Sequence, residues 1–149
     1  MSAPVHPAES TGSALYLEVQ QFYGRQMHLL DEADVEGWAA TFTEDGVFAA
    51  NAHPEPQVGR AAIEKSAHNA ARALADQKIQ RRHWLGMLDV SEREDGTILA
   101  RTYALVINTP RGGQAAVHLS TSCDDILVRE QGRLLVRHRQ VLRDDLPRP

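Results

Sequence analysis

Residues 78–90, KIQRRHWLGMLDV, decide the fold and suggest the chemistry. Apolar residues alternate with other residues along this stretch, a pattern that predicts a β-strand with His83, Leu85 and Met87 on one face. A histidine between apolar neighbours is desolvated, which favours its neutral form, whereas a nearby carboxylate would favour its cation. A catalyst of proton transfer needs such a balance. The stretch therefore predicts a functional histidine, provided that the chain supplies a carboxylate and a cavity.

Composition narrows the class of protein. The chain has 149 residues, 42% of them hydrophobic and 24% charged, which is ordinary for one globular domain. Its net charge of -4 argues against nucleic acid as a partner, because such binding depends on contacts between basic side chains and phosphates. The chain has a single cysteine, Cys123, and shows neither a secretion signal nor a long apolar run. These features predict a cytoplasmic protein without a membrane span.

The order of the predicted elements indicates an α+β domain. Residues 1–12 are expected to be a flexible N-terminal segment, residues 13–143 a single domain, and residues 144–149 a polar tail. Three amphipathic helices are predicted, near 13–31, 34–42 and 60–74, with a short strand at 47–50 before the third. A long meander then follows, and its predicted strands are the 78–90 stretch, 97–108, 114–129 and 133–143. A twisted sheet curling around helices can leave a cavity on its concave side.

This order of elements, with the motifs Asp34-x-x-x-Trp38, Gly59-Arg60-Ala61-Ala62-Ile63 and Arg82-His83, resembles the nuclear-transport-factor-2-like (NTF2-like) superfamily. Within that superfamily the chain is similar to the SnoaL-like group. The resemblance implies a cone of three N-terminal helices packed on a strongly curved, mixed or antiparallel sheet. Relatives include polyketide cyclases, ketosteroid isomerases, dehydratases and the small subunit of ring-hydroxylating dioxygenases.

The resemblance implies a pair of catalytic residues. In dehydratases of this fold, an aspartate just before the second helix pairs with a histidine on the strand after the third helix, and Asp34 and His83 occupy those positions. The corresponding prediction is that Asp34 orients His83, which moves a proton next to a carbonyl or at a leaving or cyclising oxygen. The alternative for Asp34 is a helix N-cap, which would direct its carboxylate to the amides of the second helix.

Five further residues are predicted to bind the substrate. Tyr103 and Asn108, on the strand after the hairpin, are hydrogen-bond candidates, although each also suits a core or turn position. His118 is preferred over Cys123 as a cavity residue, because their positions on one strand place them on opposite faces. Trp38 and Met87 complete the predicted lining. Asp124 and Asp125 are explained instead by an arginine partner such as Arg137 or Arg139 on the neighbouring strand.

No metal or cofactor is predicted, because the chain shows no H-x-x-x-H, C-x-x-C or carboxylate facial triad and no phosphate-binding glycine loop. A homodimer is predicted instead, with Leu134, Val136 and Leu142 of the last strand facing the second copy. The function expected is cofactor-independent acid/base catalysis, by a cyclase, dehydratase or isomerase, on a hydrophobic aromatic polyketide-like intermediate of bacterial secondary metabolism. Two alternatives stay open: a non-catalytic protein that binds and protects such a ligand, and an accessory subunit resembling the dioxygenase β subunit.

Overall fold

The computed structural model of the chain describes residues 7–149. Its elements, in chain order, are α1 (Pro7–Asp31), α2 (Val35–Ala39), β1 (Phe42–Ala50), β2 (Gln57–Val58), α3 (Arg60–Gln77), β3 (Ile79–Glu92), β4 (Ile98–Pro110), β5 (Ala116–Glu130) and β6 (Arg133–Arg143).

The six strands form one mixed sheet, in the order β2-β1-β6-β5-β4-β3. The strands from β3 to β6 are a continuous antiparallel meander, as the alternating sequence predicts. β1 pairs with β6 in parallel, which brings the N-terminal half of the chain onto the last strand. The α+β class and the curved mixed sheet are therefore correct predictions.

Several expected boundaries differ from the structure. α1 begins at Pro7 rather than near residue 13, so the segment expected to be flexible is helical from residue 7, and residues 1–6 lie outside the described residues. β1 is longer than the strand predicted at 47–50, and β2 was not predicted. Only α1 and α2 precede the sheet, because α3 follows β2, so the expected group of three N-terminal helices is correct only in part.

The core lies between the helices and the inner face of the sheet. Its buried residues come from both layers, and they include Phe22 of α1, Trp38 of α2, Ile63 of α3 and Leu127 of β5. Packing the helices over one end of this face leaves part of the concave side unfilled, and the cavity described below occupies that space.

A bulge in β3 corrects one prediction drawn from its sequence. His83 and Leu85 point to the inner face as expected, but the pairing of β3 with β4 shifts between Gly86 and Asp89. Met87 lies in this bulge with φ 53°, and its side chain is 77% exposed. One extra residue in a strand reverses the alternation beyond it, so Met87 leaves the predicted face.

The last strand also differs from its predicted role. Leu134 and Val136 of β6 are buried in the core, so they do not form the expected surface for a second copy. A group of large exposed apolar side chains lies instead on the outer face of β3 and β4, and it includes Trp84, Tyr103 and Leu105.

None of the helices within residues 7–149 is long and apolar enough to cross a membrane.

Candidate active site

A cavity of about 720 Å³ opens between the inner face of the sheet and the helices. Its walls are mostly apolar, from small residues of α3 on one side and strand residues on the other. Polar and charged side chains also lie in this lining, and those that matter below are Asp31, Arg81, His83, Cys123 and Arg139. A mainly apolar space of this size with convergent polar groups is typical of a site for a small hydrophobic ligand.

His83 lies at this cavity and is held by Asp31. Its Nδ1 is 2.6 Å from Oδ1 of Asp31, and its backbone N–H donates to Oδ2 of the same carboxylate at 3.0 Å. The pair is largely enclosed, with the His83 side chain 23% exposed and that of Asp31 9% exposed. A carboxylate that accepts from Nδ1–H fixes the tautomer in which Nε2 carries the free lone pair. The arrangement therefore presents Nε2 as a base, while Asp31 stabilises any imidazolium that forms.

The predicted pairing of Asp34 with His83 is wrong. Asp34 is the N-cap of α2, and its Oδ1 accepts from the backbone N–H of Gly37 at 3.0 Å. A Cβ added at Gly37 would come within 2.7 Å of the Asp34 carboxylate, which shows how closely that carboxylate packs on the first turn. The capping alternative is the one that the structure adopts.

The turn between α1 and α2 explains why Asp31, rather than Asp34, pairs with His83. α1 ends at Asp31, and Ala33 takes a left-handed conformation with φ 64°. The backbone N–H of Asp34 then donates to the carbonyl of Leu29 at 2.9 Å, which closes the turn. The chain reverses between the two aspartates, so Asp31 faces β3 and Asp34 faces its own helix.

Arg81 is a cationic neighbour of this pair. It lines the cavity from β3, and its Nε donates to Oδ1 of Asn108 at 2.9 Å. Burial lowers the pKa of Arg81, and the charge of Asp31 partly offsets that effect. Asn108, predicted to bind substrate, thus holds Arg81 and does not itself line the cavity.

Three other residues predicted to bind the substrate lie away from the cavity. Tyr103 shares a face with Leu105 as expected, but that face is the outer one, and its side chain is 65% exposed. His118 is exposed where the pairing of β4 and β5 is irregular, and Cys123 takes the inward position instead. Met87 is displaced by the bulge in β3. Alternation identified the two faces of each strand, but it did not show which face is covered.

Trp38 does line the cavity, as predicted. It is 4% exposed and packs edge-on against Phe42, with ring centroids 4.9 Å apart, and against Phe48 at 6.4 Å. Trp38 and Phe48 form an apolar wall at the α2 end of the cavity.

A buried polar cluster borders the cavity on the side of β6. Arg139 donates from Nε to Oδ1 of Asp125 at 2.9 Å and from Nη2 to Oδ2 of Asp125 at 2.9 Å. The same Nη2 donates to Oε1 of Gln26 at 2.7 Å, and the Tyr23 hydroxyl donates to Asp125 at 2.6 Å. The expectation that an arginine of the neighbouring strand explains Asp125 is confirmed. This cluster links α1 to the sheet, and because Arg139 and Cys123 also line the cavity, a ligand can contact it.

Burial sets the protonation of this cluster. It raises the pKa of Tyr23, and the negative charge of Asp125 raises it further. Burial also raises the pKa of the Cys123 thiol, again with a contribution from Asp125. Burial by itself would lower the pKa of Arg139, but the charge of Asp125, its hydrogen bonds with Arg139 and the neighbouring Cys123 and Tyr23 together raise it. The cluster therefore holds a neutral phenol, a neutral thiol and a permanent guanidinium.

No group of three or more histidine, cysteine or acidic side chains in the described part of the chain could hold a metal ion.

Sequence reasoning missed Asp31 as the partner of His83. A signal for Asp31 existed, because an acidic residue is unfavourable near the C-terminus of a helix and calls for a separate explanation. Arg139 was predicted only as a possible partner of Asp125, and its position at the cavity was not predicted.

The fold defines the class of this protein: a mixed α+β, NTF2-like cone with one curved sheet of six strands. An NTF2-like protein with a cystatin-like fold from Novosphingobium aromaticivorans is similar in fold, with a TM-score of 0.76 at 22% identity over 96% of this chain and 93% of that chain.

The chain belongs to the family of SnoaL-like domains, whose model matches residues 13–140. It is similar to ActVI-ORFA from Streptomyces coelicolor, with 38% identity, a TM-score of 0.84, and coverage of 91% of this chain and 99% of that one. It is also similar to a Catenulispora acidiphila protein in complex with S-DNPA, with 41% identity, a TM-score of 0.80, and coverage of 89% and 96%. A comparison with curated proteins gives no match.

Proposed function

We propose that this protein is a cofactor-independent acid/base enzyme, with His83 as the catalytic base and acid and Asp31 as its positioning residue. The observation that carries the proposal is the 2.6 Å contact between His83 Nδ1 and Asp31 at the wall of a cavity of about 720 Å³. A positioned imidazole can serve first as a general base and then as a general acid.

The chemistry proposed is removal of a proton from carbon next to a carbonyl, followed by its return elsewhere. His83 Nε2 takes the proton, the electron pair of the broken C–H bond moves into an enolate, and the imidazolium then gives the proton to a leaving or cyclising oxygen or, in an isomerisation, to another carbon. Asp31 stabilises the imidazolium between these two steps, because its charge lies 2.6 Å from Nδ1. Cyclisation, dehydration and isomerisation all use this sequence.

The proposed substrate is a hydrophobic, aromatic polyketide-like intermediate. The apolar walls of the cavity support this choice, because flat aromatic rings gain most from such a lining. The similar Catenulispora protein in complex with S-DNPA shows that a small molecule binds to a relative at 41% identity. The cytoplasmic location expected from the sequence remains part of this proposal.

Proton removal can be tested without knowing the substrate. 2-Tetralone is a bicyclic probe whose C1 hydrogens lie between an aromatic ring and a ketone, so their exchange in D₂O can be followed by proton NMR. We expect the protein to accelerate this exchange and His83→Gln to remove the acceleration. His68→Gln is the matched control, because His68 is an exposed histidine of α3 paired only with Glu64, and it should behave like the wild type.

The same experiment distinguishes the proposal of an enzyme from the alternative of a ligand-binding protein. If wild-type protein binds 2-tetralone but exchange runs at the rate of the buffer, the proposal fails and the ligand-protecting alternative takes its place. If His83→Gln retains the acceleration, another group is the base and the role of His83 is wrong.

We also propose that the protein is a homodimer, formed through the outer face of β3 and β4 rather than through β6. Trp84 is 67% exposed and Tyr103 65% exposed on this face, and the register places Trp84 opposite Leu105. Adjacent exposed apolar side chains on the outer face of a sheet favour burial against another surface. A second copy supplies a matching surface by two-fold symmetry.

A further inference from the structure

The guanidinium of Arg139 has donors that the protein does not use. An arginine carries five N–H donors. Nε uses its one on Asp125, and Nη2 uses its two on Asp125 and Gln26. Among the described residues nothing accepts from Nη1, so two donors are left over.

These two donors are available to the cavity. The fully buried polar side-chain atoms without a partner in the described chain are Trp38 Nε1 and Thr43 Oγ1, so Nη1 of Arg139 retains some accessible surface. Only 6% of the side chain is exposed, and Arg139 lines the cavity. The Phe42 ring covers the guanidinium, with its centroid 5.3 Å from Cζ. With one edge bound and the ring of Phe42 against it, the remaining edge is the part that a ligand can reach.

We propose that Arg139 Nη1 binds an oxygen of the ligand, at the end remote from the carbon on which His83 acts. This inference rests on the proposed function for the role of His83, and it adds a second anchoring point inside the same cavity. It also narrows the substrate class to ligands that carry an oxygen at both ends.

The two points lie on different strands at the wall of the same cavity. Arg139 of β6 bonds to Gln26 of α1, and His83 of β3 bonds to Asp31 at the end of the same helix. The strands β5 and β4 separate β6 from β3 in the sheet. A ligand that contacts both points must therefore extend across the cavity, which a bicyclic ligand does more readily than a single ring.

The charge of the cluster indicates which kind of ligand oxygen Arg139 binds. Asp125 already neutralises Arg139 through two hydrogen bonds, and Tyr23 donates to the same carboxylate. The local net charge is therefore close to zero, which favours a phenolic or carbonyl oxygen over a free carboxylate. A hydrogen bond from a charged donor in a dry site is strong and directional.

The test uses a matched pair of probes in binding titrations, with no turnover required. 6-Hydroxy-2-tetralone places an oxygen on the far ring, and 6-methyl-2-tetralone places a methyl group of similar size there. We expect the wild-type protein to bind the hydroxyl probe about tenfold more tightly relative to the methyl probe, the contribution of about one charge-assisted hydrogen bond.

The double variant Asp125→Asn with Arg139→Gln removes both charges together and so avoids leaving one ion buried alone. It should lose the preference and still bind the methyl probe. Arg143→Gln is the control, since Arg143 lines the cavity from the same strand while its guanidinium is held by Asp145. This variant should keep the preference.

If the double variant does not fold, NMR of the arginine side chains in the wild type decides instead. The Arg139 N–H signals should shift with the hydroxyl probe and not with the methyl probe. Equal affinities of the wild type for the two probes, a preference that survives in the double variant, or unshifted Arg139 signals would overturn the proposal. Because binding is measured, this result is independent of whether His83→Gln abolishes proton exchange.

Discussion

Replacing Asp31 by asparagine should abolish the proton exchange of 2-tetralone, although the two side chains have nearly the same shape. The Asp31 carboxylate accepts from His83 twice, at Nδ1 and at the backbone N–H. An asparagine offers only one oxygen. If that oxygen serves the backbone N–H, the amide NH₂ faces Nδ1 and favours the tautomer that carries its proton on Nε2, where the base should be.

The size of the effect follows from this loss of the base. A positioned general acid or base contributes about 10²–10⁴ in rate, which is about 2.7–5.4 kcal/mol at 1.36 kcal/mol per tenfold. The opposite orientation of the amide keeps the tautomer but lacks the negative charge that stabilises the imidazolium, and it leaves the His83 backbone N–H without its acceptor, at a cost of about 1–3 kcal/mol in stability. We therefore expect a rate loss of at least about a hundredfold, with or without a lower melting temperature.

The matched control is Asp34→Asn, the same substitution three positions along. Asparagine caps a helix about as well as aspartate, so neither the melting temperature nor the exchange rate should change. The assay is deuterium incorporation at C1 followed by proton NMR, with circular dichroism melts of both variants. A full exchange rate in Asp31→Asn, or an equal loss in Asp34→Asn, would refute the pairing of Asp31 with His83 as the catalytic unit.

Two further predictions concern the cluster and the outer face. Burial raises the pKa of the Cys123 thiol above its ordinary value of 9.0, and the thiolate is the reactive form. Iodoacetamide should therefore label the native protein slowly even at pH 9 and the urea-unfolded protein rapidly, as measured by mass spectrometry. Rapid labelling of the native protein would contradict the buried position of Cys123. The double variant Trp84→Ser with Tyr103→Ser should be a monomer when its mass is measured by light scattering after size-exclusion chromatography. Leu17→Ser, which changes an exposed leucine of α1, should remain a dimer. A monomeric wild type would contradict the proposed dimer.

The sequence predicted the fold where local pattern and tertiary structure agree. The alternation of β6 gave both of its ends, 133 and 143, and the alternation of β3 placed His83 and Leu85 on the inner face. Met87 failed because a bulge shifts the register by one residue, and an extra residue leaves no signature in an alternating pattern. Tyr103 and His118 failed because a strand pattern defines two faces without saying which one the helices cover.

The candidate site was predicted in part for a similar reason. The histidine was found, because an imidazole in an apolar strand is unusual. The predicted partner, Asp34, is wrong because the resemblance to dehydratases points to the position just before the second helix, where Asp34 serves as the N-cap, whereas Asp31 shows in the sequence only as the end of a helix. The left-handed turn at Ala33 decides between the two, and an alanine gives no sign of such a conformation. Arg139 depends on contacts between α1, β5 and β6, which lie far apart in the chain.

The most direct measurement is a crystal structure of the protein with 2-tetralone bound. We predict the bicyclic ring inside the cavity, with C1 about 3–3.5 Å from Nε2 of His83 and Nδ1 still on Asp31, the geometry that proton abstraction requires. A probe bound within the cavity with C1 turned away from His83, or bound only on the outer face beside Trp84, would contradict the role of His83 as the base.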